Sequence, residues 1–215
     1  MNSRHHVGDK MELKKALEEF KKEKERKFEQ SVDLIVNLKG VDVKKENIAV
    51  VIGIPNKFRE KKVCAFLNKN SELVDSVLEA DFVRYKDKGK LKGLVKKYDF
   101  FIANASLMPK VATTFGKVLG PAGKMPSPQL GILTQESDNA VKEMLERISK
   151  SIKIRVKEPS IKIGIGKQNM EEEKIIENFD AVYQAIVNAL PVKKENVKSV
   201  LIKLTMGKPI KLEVK

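Results

Sequence analysis

Tyr98–Leu119 reads YDFFIANASLMPKVATTFGKVL. Tyr98–Ala103 is a short, strongly apolar run of the length of a buried strand. From Ser106 to Leu119 the pattern predicts a helix, with Pro109 in its first turn, where a missing N–H removes no helical hydrogen bond. Working outward, Val63–Leu67 predicts another strand and Ser71–Glu79 a helix capped by Ser71. Asp138–Ser149 predicts a further helix. Strands that alternate with helices in this way argue for a parallel α/β layer unit.

The flanks have another texture. In Ser31–Leu38, Val32, Leu34, Val36 and Leu38 face one way, while Ser31, Asp33 and Asn37 face the other, the period of a half-buried strand. Ile48–Ile54 predicts a second strand, closed by Pro55-Asn56. Ile152–Val156 and Ile161–Ile165, separated by EPS, predict a hairpin. A helix is expected over Glu171–Leu190 with Ile175, Phe179, Val182, Ile186 and Leu190 on its core face. Val200–Leu204 and Ile210–Val214 predict a last strand pair across TMGKP. Before the first strand, Asp9 to about Gln30 predicts a helix, capped by Asp9 with Glu12 in a capping-box position, and Leu13, Leu17 and Phe20 as its apolar stripe.

Neither flank alone supplies enough elements for a stable unit. The fold class is therefore mixed, α+β with α/β, in two domains. Residues 1–57 and 152–215 build a discontinuous α+β domain. Residues 58–151 form an inserted three-layer α/β (Rossmann-like) domain, and the two crossings near Lys57 and Ser151 permit a hinge.

The 215 residues are 41% hydrophobic, enough for packed cores, and carry a formal charge of +14. A cationic chain attracts polyanions, nucleic acid first. The excess is spread, with 26 basic and 18 acidic residues in the flanks and 17 and 11 in the middle. No apolar run approaches the roughly 20 residues of a membrane span, so no membrane partner is expected. MNSRHHVGDK has no apolar core of a secretory leader. The single Cys64 fits a reducing cytoplasm and reads as a small buried hydrophobe.

Enzyme readings fail on specific residues. Lys117–Leu133, KVLGPAGKMPSPQLGIL, contains GPAGK, but a phosphate loop needs glycine where Val118 stands and Ser or Thr where Met125 stands, and Pro121 removes an N–H. Gly164–Lys167, GIGK, lacks the third glycine of a dinucleotide loop. Outside His5 and His6 there is no histidine, which removes the commonest general base and metal ligand. One cysteine cannot build a zinc site. No catalytic residue, metal site or cofactor is expected. The Gly/Pro loop reads as a rigid loop at the tip of the inserted domain with Lys124 exposed, a candidate secondary RNA contact.

Few aromatics and no tryptophan argue against a stacking platform for single strands. A folded RNA read by shape fits better, with DNA as the rival. Such a reader needs short polar groups and exposed backbone on a rigid element. Phe28–Ser31 (FEQS) and Thr205–Gly207 (TMG) qualify. Gly207 permits close approach, Thr205 offers a hydroxyl, and Met206 can lie flat on a sugar or base.

Four stretches carry a family resemblance: KFEQSVDLIVNLKGVD at 27–42, the loop at 117–133, IGKQNMEEEKIIEN at 165–178 and LTMGKPIKL at 204–212. Together they resemble ribosomal protein L-one of the large subunit, in its archaeal form. The resemblance implies a cytoplasmic protein of the large ribosomal subunit, monomeric when free. It would bind the rRNA stalk beside the tRNA exit site, help deacylated tRNA leave, and repress translation of its own operon mRNA. It implies an RNA surface on the two-ended domain, comprising Phe28, Glu29, Gln30 and Ser31, Gly166 and Lys167, and Thr205, Met206, Gly207 and Lys208. Lys208 replaces the proline usual after TMG and could add a phosphate contact.

Overall fold

The structure, a computed structural model, describes residues 3–22, 27–42, 48–156 and 158–213, with backbone alone at 3–11, 22, 86 and 88. The chain divides into two units, one made of residues 1–59 and 152–215, the other of 60–151. The fold is mixed, with an antiparallel sheet in the first unit and a parallel one in the second.

The first unit holds α1 (Ser3–Lys22), β1 (Ser31–Leu38), β2 (Ala49–Gly53), β7 (Ser151–Arg155), β8 (Ser160–Lys167), α5 (Glu172–Ala189), β9 (Val197–Leu204) and β10 (Ile210–Leu212). Strands run in the order β10-β9-β1-β8, each pair antiparallel. The alternation of β1 sets its faces: Val32, Leu34, Val36 and Leu38 are buried. They share one core with Ile163 and Ile165 of β8, Ile202 and Leu204 of β9, and the expected face of α5. Leu13, Ala16, Leu17 and Phe20 bring α1 onto the same core. A fully buried aliphatic side chain contributes roughly 1.5–3 kcal/mol.

A polar side chain on the core face of α5 interrupts the apolar packing. Asn178 occupies the buried face of α5 between Ile175 and Phe179 and is wholly buried. Its Nδ2 donates to the carbonyls of Ile165 at 2.8 Å and Asn56 at 2.9 Å, and its Oδ1 accepts from Asn56 N at 2.9 Å. Ile165 is the extra residue of a bulge, since Val32 faces Gly166 and Asp33 faces Gly164. Asn178 satisfies a carbonyl at that break in the ladder.

The second unit holds β3 (Val63–Leu67), β4 (Asp75–Leu78), a 3₁₀ segment (Glu79–Lys86), α2 (Lys88–Lys97), β5 (Phe100–Asn104), α3 (Met108–Ala122), β6 (Ile132–Leu133) and α4 (Asp138–Ser149). The sheet order is β4-β3-β5-β6, all parallel. Cys64 and Phe66 face a core shared with Leu91, Leu94 and Val95 of α2 and Val111, Phe115 and Leu119 of α3. Ala65, Leu67 and Ile102 point to the opposite face and are equally buried. There α4 runs back along β3. The Glu136 carboxylate two residues before it bonds Asn68 after β3, and the Ile148 carbonyl near its end accepts from Lys61 Nζ before β3 at 2.8 Å. Layers thus lie on both faces of the sheet.

Several expectations are corrected. Residues 71–79 are not a helix. Asp75–Leu78 pairs with β3 as an edge strand, and Ser71 Oγ accepts from Leu73 N in a local turn. The ladder offered by β3 outweighs a short stretch's local preference. Residues 152–165 are not a hairpin, because β7 pairs with β2 and β8 with β1. Alternation assigns faces, not partners. Asp9 lies inside α1, which begins at Ser3 rather than at Asp9, and residues 27–30 stand outside the helix. The helix α2, with glycines at 89 and 93, was not expected.

The segment 117–133 is only partly loop. Helix α3 runs through Pro121 to Ala122. Gly123, at φ 72°, then closes it as a Schellman motif: Gly123 N donates to Gly120 O at 3.0 Å and Lys124 N to Leu119 O at 3.0 Å. Gly131, at φ 120°, admits no side chain, since a Cβ there would sit 2.9 Å from the Phe101 carbonyl.

Asn178→Ala strands the Asn56 and Ile165 groups. It should lower the first unit's unfolding free energy by about 2–3 kcal/mol, read as an earlier denaturant transition of amides in β1 and α5 by hydrogen exchange.

Candidate functional site

The predicted residues gather at one end of the antiparallel sheet. Where β1 begins, β8 and β9 end: Ser31 pairs with Lys167, and Val32 with both Gly166 and Leu204. The last ladder bonds continue past the strands. Thr205 N donates to Ser31 O at 3.0 Å, and Gln168 N to Gln30 O at 2.9 Å.

Side chains lock this junction. Thr205 Oγ1 accepts from Ser31 N at 3.0 Å and donates to Ser31 O at 3.3 Å. Gln30 Oε1 accepts from Met206 N at 3.1 Å, and Gln30 Nε2 donates to Gln168 Oε1 at 3.4 Å. The turn beyond β9 is closed by Gly207 N on Leu204 O at 3.0 Å. Glu29 and Lys167 form an ion pair across the junction. Asp33, two residues along the same face as Ser31, is raised above the ordinary carboxylate value by burial, which Lys203 opposite it offsets in part.

This geometry changes the roles of several candidates. Gln30 is wholly buried, so its side chain supports Met206 rather than meeting a partner. Gly166 faces inward: a Cβ there would lie 3.0 Å from Ile175 Cγ1, and its glycine serves packing against α5. The Thr205 hydroxyl is engaged with Ser31. Facing outward are Phe28 and Met206, 53% and 59% exposed, with Glu29 next to the first and Lys208 two residues after the second. Gln168, which bridges Gln30 and the Phe20 carbonyl, was missed. Its signal was faint, a polar residue one position beyond the GIGK strand end. Asn178 had a better one, an amide at core-face spacing on an otherwise apolar helix face.

Lys124 is not an exposed cation. It is half-buried, and its Nζ donates to the carbonyls of Val95 at 2.8 Å and Tyr98 at 2.7 Å. A cation on the last carbonyls of α2 compensates that helix end.

The second unit has its own crevice. In a parallel sheet of order β4-β3-β5-β6 the connections diverge between β3 and β5, and ligands of such sheets bind at the strands' carboxyl ends there. Glu136 lies at that position. Its Oε1 accepts from Asn68 N at 2.8 Å, Asn68 Nδ2 at 2.9 Å and Asn104 Nδ2 at 2.6 Å. Partial burial opposes its ionisation, but these bonds prevail and hold its carboxyl below the ordinary value. Cys64 is buried, and desolvation pushes its thiol up to about 12, which keeps it inert at neutral pH. Among the described residues, no three His, Cys, Asp or Glu side chains gather as a metal site. No described helix is long and apolar enough to cross a membrane.

Comparison with known proteins supplies the class. A protein named large ribosomal subunit protein uL1 from Thermococcus kodakarensis is 35% identical over 217 residues, 95% of this chain and 98% of that one. The protein of the same name from Archaeoglobus fulgidus is 36% identical over 219 residues, 96% and 99% of the two chains. That of Thermofilum pendens is 38% identical over 202 residues, 88% and 86%. These are ribosomal proteins of the large subunit. The sequence model of the Ribosomal protein L1p/L10e family matches residues 18–208, and this chain belongs to that family.

Two outcomes test the geometry. Gln30→Ala deprives Met206 N of its acceptor; the Met206 amide should lose hydrogen-exchange protection, and the unit about 1–3 kcal/mol of stability. Glu136 has a lowered carboxyl, so its contribution is present above the unfolded value and fades as pH falls through the folded one. Glu136→Gln should therefore lower the second unit's melting temperature at pH 7, and the difference should shrink as pH falls through the lowered folded value.

Proposed function

We propose that the sheet-end junction binds the rRNA stalk of the large subunit beside the tRNA exit site. By that reading the bound stalk helps deacylated tRNA leave. The same junction takes a stalk-like fold in the chain's own mRNA and represses its translation. The first unit is then the principal rRNA-binding domain. The observation that carries this is the convergence of residues 28–31, 166–168 and 205–208 into one hydrogen-bonded corner, the first segment lying more than a hundred residues before the other two. Family membership and the charge of +14 support it.

Recognition here needs no bond to be made or broken. The buried polar groups hold the 28–31 and 205–208 backbones at a fixed separation. A preordered surface avoids the ordering cost that a loose one pays on binding. Phe28 and Met206 then offer flat apolar contact to bases or sugars. Lys208 and neighbouring lysines supply the salt-dependent attraction to phosphates.

Met206→Asp and Phe28→Asp should each weaken binding to a stalk rRNA fragment by about ten- to a hundredfold, with the salt slope nearly unchanged. Thr205→Val should do the same indirectly, by stranding Ser31 N–H. Lys208→Gln should instead lower the slope by about 0.7–0.9. In a translation assay with its own mRNA, Met206→Asp should also relieve repression. Wild-type affinity in Met206→Asp, Phe28→Asp and Thr205→Val alike would remove the junction from the interface.

A further inference from the structure

Helix α2 carries a charge distribution that neither its packing nor the junction explains. Residues 84–97 hold seven Lys or Arg and one Asp, while the rest of the second unit holds nine basic and ten acidic residues. The whole positive excess of that unit is concentrated in this one segment. Two of its cations are engaged: Arg84 pairs with Asp81 at 3.1 Å, and Lys97 with Asp75 at 3.5 Å. Lys90, Lys92 and Lys96 are exposed and, among the described residues, in no ion pair or hydrogen bond of the side chain.

The arrangement on the helix is as informative as the charge. Leu91, Leu94 and Val95 are the buried side. At 100° per residue, Gly89 and Gly93 run down the middle of the opposite side. Lys92 and Lys96 flank them on one edge, Lys90 and Lys97 on the other. Gly93 is required by nothing local: its φ is ordinary, and a Cβ there would meet no atom within 4 Å. Glycine inside a helix weakens it, and like charges four apart, as at Lys92 and Lys96, weaken it further. A segment that violates local helix rules without a packing gain marks a place where something else uses it.

We propose that the exposed face of α2 is a second RNA-binding surface, which takes the phosphate backbone of a duplex segment without reading its sequence. The glycines let a backbone approach the helix closely while lysines on both edges reach its phosphates. The face has no Arg, Asn or Gln to read base edges. It has no aromatic or aliphatic anchor of the kind that seats a membrane surface or a protein hot spot. A charge-only face of this kind fits phosphates. The inference is independent of the junction, because it concerns a different unit and a ligand without the stalk sequence.

The full chain is titrated with an RNA duplex of about 20 base pairs unrelated to the stalk, across a range of salt. Lys90→Gln, Lys92→Gln and Lys96→Gln combined should weaken binding about tenfold near ~50 mM salt and lower the slope by about two to three. A control removes the same charge from α4 and its C-terminal cap, by Lys142→Gln, Arg147→Gln and Lys150→Gln, and should change affinity less than about twofold. Gly93→Glu, which improves helix propensity, should weaken binding strongly, and Gly93→Ala, which adds only a methyl to the face, should weaken it less. The duplex should also protect Lys90, Lys92 and Lys96 from acetylation. Equal losses in the α2 and α4 variants, no loss in the α2 variant, unprotected lysines, or displacement of the duplex by poly-glutamate at equal charge would each overturn the proposal. Loss of stalk binding on Met206→Asp with duplex binding intact separates it from the junction reading.

Discussion

Strand β1 stands in the middle of a four-stranded sheet, and both of its edges are satisfied by strands from the far end of the chain. A central strand's N–H and C=O groups must find partners, because buried unpaired ones cost as much as lost hydrogen bonds. Residues before 59 therefore cannot complete a fold until β8 and β9 arrive. The order of the sheet then dictates the rest. Where β1 starts, β8 and β9 must end, so 28–31, 166–168 and 205–208 meet. The intervening unit closes its own core and pairs its own strands. Loop-closure entropy grows only slowly with length, so such an insertion costs the sheet little.

The same economy shapes the corner itself. Its polar side chains are consumed in holding it together. Gln30 and Thr205 tie the chain's two ends, and Asn178 takes the carbonyl at the bulge beside Gly166. The outward surface holds two apolar side chains, lysines and the Glu29 carboxylate paired to Lys167. In the inserted unit the corresponding economy is Glu136. Its carboxylate bonds both asparagines at the carboxyl ends of β3 and β5 and ties the two strand ends together.

Periodicity made much of this visible. β1, β9, α5 and the apolar β5 were legible because alternation and helical spacing report which atoms leave water. The misreadings share one cause. Ser71–Leu78 and Ile152–Ile165 have patterns that several structures satisfy, and the choice lay with the partner strands, the neighbouring β3 for the first and the distant β1 and β2 for the second. Helix α2 was hidden by its glycines, which local propensity ranks poorly, and by its narrow apolar side, which packs on the sheet, the 3₁₀ segment and α3. Lys124 looked exposed because nothing nearby in sequence shows that the last carbonyls of α2 lie within its reach.

By itself the sequence determined the two textures, the buried faces of the strands and long helices, and the family, because each is written in residue types at fixed spacing. The tertiary structure alone decided which candidates face outward. Phe28 and Met206 do, while Gln30, Gly166 and Lys124 turn to the protein's own backbone and core. The reason is physical. A polar or small residue at the end of a strand serves equally as a contact or as a support, and which it becomes depends on the carbonyls and amides that distant strands bring beside it.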